Sequence, residues 1–384
     1  MKIVSIEPTP SPNSMKINVS MELPAGESRN YKQNDDVETA PQYVKDLMNI
    51  EGVKGIYHVT DFIALERNAR VSWEAILPVV RQTLGSVENS QELASKEEAS
   101  DLSEEPYGEV NVYIQMFRGI PMQIKLEEGD AEHRVGLPQA FTDTAMKAAE
   151  APDANLMFER KWVEQNPRFG SVESVGHDIA EELSASYSTQ RLEDLLREAL
   201  SEHEPGQKQD HSQHNNITLA DFQQSDWKAR YAALDRMDPT LNDLAVLDKA
   251  LDDEKASVRR LATAYLGMIE DKQVLPYLYK ALRDKSVTVR RTAGDCLSDL
   301  GYKEAMHEII TSLTDSNKIV RWRAAMFLYE VGDESALPAL RKAMDEPEFE
   351  VRLQINMAIE RIEGGEEAKG SVWHQMTQAA QHDN

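Results

Sequence analysis

One cysteine, Cys296, is the only thiol in this chain of 384 residues, and nine histidines are its only imidazoles. An iron–sulfur cluster is held mainly by Cys thiolates, so a single copy of the chain has too few to hold one. His203, His211 and His214 gather around Glu204 and Asp210, and their His-x-x-His spacing puts two imidazoles within reach of one metal ion on a helical turn. Pro205, Gly206 and the lack of apolar anchors make the same stretch read as a mobile linker. His307-Glu308 is a single pair on a helix, and His177 is a single helical histidine; both read as surface residues. Gly170-Ser171-Val172-Glu173-Ser174 has neither the glycine spacing of a phosphate loop nor that of a nucleophile elbow. The sequence therefore supplies no catalytic residue and no metal-ligand set.

The one regular pattern of ionisable residues is a ladder. Asp253 precedes Arg259 by six residues, and Asp284/Arg290, Asp315/Arg321 and Glu346/Arg352 repeat that spacing in register every 31 residues. Each Arg follows a Val (Val258, Val289, Val320, Val351), with Leu266, Leu297, Leu328 and Ile359 eight residues later and Ile269, Leu300, Val331 and Ile362 eleven later. Those spacings put one apolar stripe on a helix. Gly301 and Gly332 then sit where a left-handed helix stop is cheap, and a second stripe follows: Leu275, Leu278 and Leu282 in one unit, Leu337, Leu340 and Met344 in another. Each unit is a helix pair that cannot cover its own apolar face, so units stack, and a degenerate one precedes them around Asp226–Asp253. The acid, in the inter-repeat turn, can accept from the next helix's free N–H groups, and the Arg can bridge to the adjacent repeat. This structural reading treats the pairs as exposed register marks worth ~0–1 kcal/mol each; the sharper one makes the arginines a ligand-reading row.

The Val-Arg steps, the acids and the small residues Ala262, Ala293 and Ala324 resemble the HEAT repeat, in a short form similar to the bilin-lyase type. Deoxyhypusine hydroxylases, a HEAT-type class, hold a di-iron centre with repeated His-Glu pairs. Here only His307-Glu308 is present within the repeats. The register sets Cys296 at the place of Tyr265 and Phe327, a small core residue of a chain kept in a reducing compartment.

A hydrophobic content of 41% suffices for several cores, and a formal charge of −25 repels phosphate backbones, so nucleic acid is not an expected partner. The richest basic stretch, Arg283–Arg291, is interrupted by Asp284 and reads as a solvated helix start. No run of about 18 apolar residues occurs and Met1–Ile6 lack a charged-then-apolar leader, so a cytoplasmic protein without membrane contact is expected.

Along the chain, strands are predicted at Lys2–Ile6, Met15–Met21, Val53–Tyr57 and Phe62–Glu66, with helices at Ala40–Ile50 and Trp73–Leu84. Gly85–Pro106, with seven acids against one Lys, reads as a solvated linker. A second α+β domain follows, with strands Val110–Met116 and Met122–Leu126 around a Gly119-Ile120-Pro121 turn, a strand at Asn155–Val163, and helices at Ala140–Ala149, Gly176–Ser184 and Leu192–Leu200. The expected organisation is multidomain α+β plus all-α: domain 1–86, linker 87–106, domain 107–200, polar linker 201–217, repeats 218–363 and tail 364–384, whose Val372, Trp373 and Met376 suggest a cap over the last repeat.

The stretches Thr9–Ile17 and Ala40–Leu65 and the Trp73 to Pro78 helix resemble the N-terminal domain of Nfu/NifU iron–sulfur scaffold proteins, with departures at Ile17 and Val59. The Cys-x-x-Cys domain of that family is missing. Thr9, Asn13, Lys16, Asp61 and Phe62 are the partner-docking candidates; read alone, Asn13 turns the chain, Asp61 caps a strand and Lys16 points outward. The order of the three parts resembles a Gram-positive family called conserved virulence factor C. That resemblance implies an accessory protein linked to virulence gene expression, with iron binding carried over only from the Nfu-like domain. The reading that results is a non-enzymatic scaffold or adaptor, without a directly bound cofactor, binding a protein partner on the solenoid surface and, by the Nfu-type resemblance, iron–sulfur assembly proteins. The alternative is a repeat-based lyase or hydroxylase.

Overall fold

The computed structural model describes residues 1–24, 26–33, 35–85, 108–129, 131–201, 217–224, 226–235 and 237–365. The expected linkers, the histidine cluster 203–214 and most of the tail lie outside these residues. The chain forms two compact units, Met1–Tyr107 with Gly301–Asn384, and Gly108–Leu300, so the unit boundary falls inside the repeat block.

In the first unit, β1 (Ile3–Pro8), β2 (Ser14–Val19), β3 (Ser28–Lys32), β4 (Val53–Val59) and β5 (Phe62–Arg67) form an antiparallel sheet in the order β1-β2-β5-β4-β3. α1 (Gln42–Met48) and α2 (Trp73–Leu84) accompany it, and Ile17, Ile63, Leu65, Val44, Leu47, Ile76 and Trp73 make its core. β3 escaped the sequence reading because Ser28–Lys32 is an edge strand without the apolar alternation that marks a half-buried one.

The second unit begins with β6 (Glu109–Phe117), β7 (Ile120–Glu128), β8 (Ala131–Gly136), α3 (Gln139–Ala148), α4 (Leu156–Glu159), β9 (Lys161–Phe169), α5 (Val172–Ser186) and α6 (Thr189–Leu200), with sheet order β8-β7-β6-β9. The β6–β7 turn is Arg118-Gly119, both at positive φ, while Ile120 and Pro121 already belong to β7. The strand predicted at Asn155–Val163 is in fact the short α4 followed by β9, because Asn155 Oδ1 accepts from Phe158 N and starts a helical turn. β8, like β3, is a polar edge strand that alternation does not reveal.

The repeats of this unit are α7 (Trp227–Leu234) and α8 (Leu244–Leu251), α9 (Ala256–Met268) and α10 (Leu275–Leu282), then α11 (Val287–Leu300). The first unit holds α12 (Met306–Ser312), α13 (Lys318–Val331), α14 (Leu337–Lys342) and α15 (Phe349–Glu363). Val258, Val289, Val351, Leu266, Leu297 and Leu328 are fully buried, as the stripe requires. Gly301 takes the left-handed conformation, but Gly332 does not: its φ is −64°. Gly332 is required instead because a Cβ there would overlap the Leu328 carbonyl, and its own carbonyl accepts from Arg361. Met344 lies beyond the end of α14 and is exposed rather than part of the second stripe.

Leu297 has no exposed surface, so Leu297→Ala opens a cavity and costs ~2–5 kcal/mol in a urea titration. A loss below about 1 kcal/mol contradicts this placement.

Candidate functional site

The acid–arginine ladder explains its own spacing. Each Arg donates through Nη1 to the backbone carbonyl of the acid six residues before it: Arg259 to Asp253 at 2.8 Å, Arg290 to Asp284 at 2.9 Å, Arg321 to Asp315 at 2.9 Å and Arg352 to Glu346 at 2.6 Å. In Arg259 and Arg321 the rest of the guanidinium forks onto the acid of the following repeat. Arg259 reaches Asp284 at 2.7 and 3.0 Å, and Arg321 reaches Glu346 at 2.8 and 2.7 Å. Each carboxylate also accepts from the backbone N–H two residues on, at Lys255, Ser286, Asn317 and Glu348. Arg230, which the sequence reading overlooked, plays this part in the degenerate repeat and forks onto Asp253 at 2.6 and 3.0 Å. These pairs are not exposed as expected: the Arg259 and Asp284 side chains are 4% and 10% exposed, those of Arg321 and Glu346 14% and 6%. Arginines engaged in this way are not offered to a ligand.

A second row lies two residues after each repeat Val. It reads Arg260, Arg291, Trp322 and Leu353, and changes from charged to apolar along the chain. In the Gly108–Leu300 unit, Arg260 donates to Glu182 of α5 at 3.0 Å, and Arg168 of β9 donates to the same carboxylate at 2.9 Å. Arg291 stacks on Phe169, 3.7 Å from the ring centre, and holds Asp295. It is buried, not part of a solvated helix start. In the other unit Trp322, Leu353 and Met357 are buried, and the last two share a core with Trp73 and the N-terminal sheet. The open face of α15 is thus covered by the N-terminal domain.

The polar part of that joint is specific. Arg67 at the end of β5 donates to Glu350 Oε1 at 2.6 Å, with both side chains almost fully buried, and Ser72 Oγ donates to the same oxygen at 3.2 Å. Trp73 Nε1 donates to the Pro12 carbonyl at 2.9 Å, and Arg323 donates to that of Pro10 at 3.1 Å. Sequence carried little sign of this, since Arg67 and Glu350 are 283 residues apart.

This placement bears directly on the docking candidates. Thr9 Oγ1 lies 3.1 Å from the Ser11 and Ser14 carbonyls, Thr9 lines a pocket against Trp322 and Glu350, and Asn13 is buried beside the strand end at Arg67. Contacts within the chain therefore occupy these two residues. Lys16 pairs with Glu7 at 3.0 Å and lies 5.2 Å from the Phe62 ring centre, and Asp61 is exposed in the Thr60-Asp61 turn. These three form a separate surface. His307 is exposed, and His177 is exposed within 3.5 Å of Glu181.

Two buried groups have altered protonation. Cys296 packs under Gly267, its Sγ donating to the Thr263 carbonyl at 3.5 Å, and burial pushes the thiol well up, so it stays protonated. His58, fully buried, bonds through Nδ1 to Tyr43 Oη at 2.6 Å, and Arg29 donates to that hydroxyl at 3.1 Å. Burial first, and then the Arg29 charge, lower its pKa below 6.5. No group of three or more His, Cys, Asp or Glu among the described residues is placed to hold a metal ion, and no described helix is long and apolar enough to cross a membrane. A lone, buried, protonated thiol does not fit an iron–sulfur cluster.

Comparison with known proteins matches this architecture. Residues 4–91 match the family model for the scaffold protein Nfu/NifU N terminal, 115–196 that for virulence factor, and 219–360 HEAT repeats in three overlapping stretches. A Bacillus subtilis protein called uncharacterized protein YpgR is 57% identical over 99% of both chains. Conserved virulence factor C of Staphylococcus aureus strain USA300 is 47% identical over 98% of this chain and 99% of its own. The chain belongs to the conserved virulence factor C family. Over 22% of its length the chain is also similar to the crystal structure of protein SAV1430 from Staphylococcus aureus, 40% identical over 98% of that chain, with a TM-score of 0.20.

Because the ladder is buried, Arg321→Ala strands the Glu346 carboxylate and costs ~3–5 kcal/mol by denaturant titration, whereas Lys280→Ala, which breaks a half-exposed link to Asp248, costs ~0–1 kcal/mol. Equal losses contradict the burial difference. The pKa of His58 is lower folded than unfolded, so the folded state binds fewer protons and its stability drops as pH falls below about 6.5. His58→Gln flattens that part of the stability–pH curve; an unchanged slope removes His58 as its source.

Proposed function

We propose that this chain is a non-enzymatic adaptor that binds protein partners. The observation that carries this reading is that the side chains best suited to chemistry or ligand reading, the ladder arginines and Cys296, are engaged in internal contacts. A repeat-based lyase or hydroxylase needs clustered nucleophiles or ligands, and exposed His307 stands in no such group among the described residues.

The second domain supplies an apolar contact point. Met157 and Phe158 are 71% and 87% exposed on α4. The turn bearing them is held by Arg118, which donates to Glu159 at 2.8 Å, to Asp153 at 3.0 Å and to the Ala199 carbonyl at 2.9 Å. A large aromatic presented from a braced backbone loses little entropy on docking, which is what a binding hot spot needs. The name of the staphylococcal relatives supports a link to virulence, and the Nfu-type match supports contact with iron–sulfur assembly proteins through Lys16, Asp61 and Phe62. A cytoplasmic site of action, with neither nucleic acid nor membrane as partner, goes with the −25 charge.

Affinity capture from the native cytosol with the full chain and with its Phe158→Asp variant tests this. A protein retained by the first and lost from the second, both equally stable, is the expected result. For iron, anaerobic reconstitution with iron and sulfide leaves no stable cluster absorbance, and Cys296 reacts with a thiol reagent only after unfolding. A stoichiometric cluster lost in Cys296→Ser overturns the non-cofactor part of the reading.

A further inference from the structure

One hydroxyl joins the edge strand of the first sheet to α1 and to the sheet's interior. β3 pairs only with β4 in the order β1-β2-β5-β4-β3, and none of its side chains is fully buried. In that ladder Arg29 stands directly opposite His58. Arg29 Nη1 donates to Tyr43 Oη at 3.1 Å, and the same oxygen lies 2.6 Å from His58 Nδ1, with the Tyr43 and His58 rings edge to face. A guanidinium only donates, so Oη accepts from Arg29, and the neutral His58 ring completes the chain by accepting the Oη proton at Nδ1.

Arg29 on β3 and Tyr43 on α1 are the charged or titratable groups that face His58; β5 sets Ile63 opposite it, and Met21 and Thr60 approach it through their backbone. Glu27 and Tyr31 face Arg29. With β3 in place, burial and then the Arg29 charge hold the imidazole below its ordinary 6.5. A proton that does arrive removes Nδ1 as an acceptor and sets a second N–H, with a second positive charge, against an oxygen that Arg29 already uses. Of the three partners Arg29 is the one free to leave. It rides on an edge strand, whereas Tyr43 belongs to a helix anchored by buried Val44 and Leu47, and His58 to a strand paired on both sides.

We propose that Arg29, Tyr43 and His58 form a latch that holds β3 on the sheet and opens when His58 takes up a proton. Opening carries Arg29 into water and leaves the outer backbone edge of β4 unpaired, the form in which a sheet accepts a strand from another chain. The linkage has one direction. The imidazole binds its proton more weakly with β3 closed than with β3 open, so falling pH favours the open form, by up to about tenfold per pH unit below 6.5 for one proton. The latch differs from a general loss of stability in acid because it is confined to one strand, and it stands whether or not the chain is an adaptor.

The test is amide hydrogen exchange of the full chain, read by mass spectrometry at about pH 7.5 and about pH 5 and corrected for the intrinsic pH dependence of exchange. Protection of Ser28–Lys32 falls severalfold more on acidification than that of Ser14–Val19 in the inner strand β2. His58→Gln, which keeps a polar side chain for Tyr43 but takes up no proton, leaves β3 protection independent of pH. Arg29→Met, at a partly exposed position, serves where His58→Gln does not fold: the His58 imidazole, followed by NMR, then titrates closer to 6.5 than in the unaltered chain, and the extra loss of β3 protection in acid shrinks. Unchanged β3 protection, an equal fall in β2 and β3, or a His58 titration unmoved by Arg29→Met overturns the proposal.

Discussion

Arg259 and Arg321 each perform two jobs, and the repeats depend on both. Through Nη1 each ties down the carbonyl of the acid at the start of its own repeat, and through its fork it grips the acid of the next. A helix pair with one apolar face has no stable isolated form, so whatever fixes the register between pairs fixes the array. The planar fork is the reason for arginine, because a lysine presents a point charge and cannot hold a carbonyl and a bidentate carboxylate together. The same demand explains why the acids sit in turns, where their oxygens also satisfy the first N–H groups of the following helix.

The row two residues beyond each Val differs between the two units, and in each it matches the α+β domain of the same unit. Where the partner presents Glu182 and Phe169, the row supplies Arg260 and Arg291. Where the partner is the core around Trp73, it supplies Leu353. The two contacts differ in kind. A buried Arg–Glu–Arg group is demanding in geometry and rewards an exact fit more than it adds stability, whereas the apolar contact gains in proportion to area buried. In the second case the Arg67–Glu350 ion pair marks the alignment.

The loop that the Nfu-type resemblance singles out, Thr9 to Ile17, faces inward over its first half because α15 needs a cover. The domain has therefore kept its sheet while part of its surface serves the chain's own repeats. What it leaves outward is the Lys16, Asp61 and Phe62 group, where a lysine over an aromatic ring beside a carboxylate can meet a partner.

The sequence by itself determined everything that repeats or alternates locally. The 31-residue period, the helix pairs, the burial of Leu297 and Cys296 and most strands of the two sheets follow from spacing, because apolar periodicity records which face of an element is buried. β3 and β8 were illegible for the converse reason: an edge strand is specified by its neighbour's hydrogen bonds, not by its own side chains. The burial of the ladder, the inward turn of Thr9 and Asn13 and the Arg67–Glu350 pair were decided only by tertiary structure. Each depends on which surface covers which, and the chain that covers α15 lies some 283 residues away, as the Arg67–Glu350 contact shows. One sign was present in the sequence, the change from Arg260 and Arg291 to Trp322 and Leu353, which had meaning only once each unit's own α+β domain was seen to pack on its part of the row.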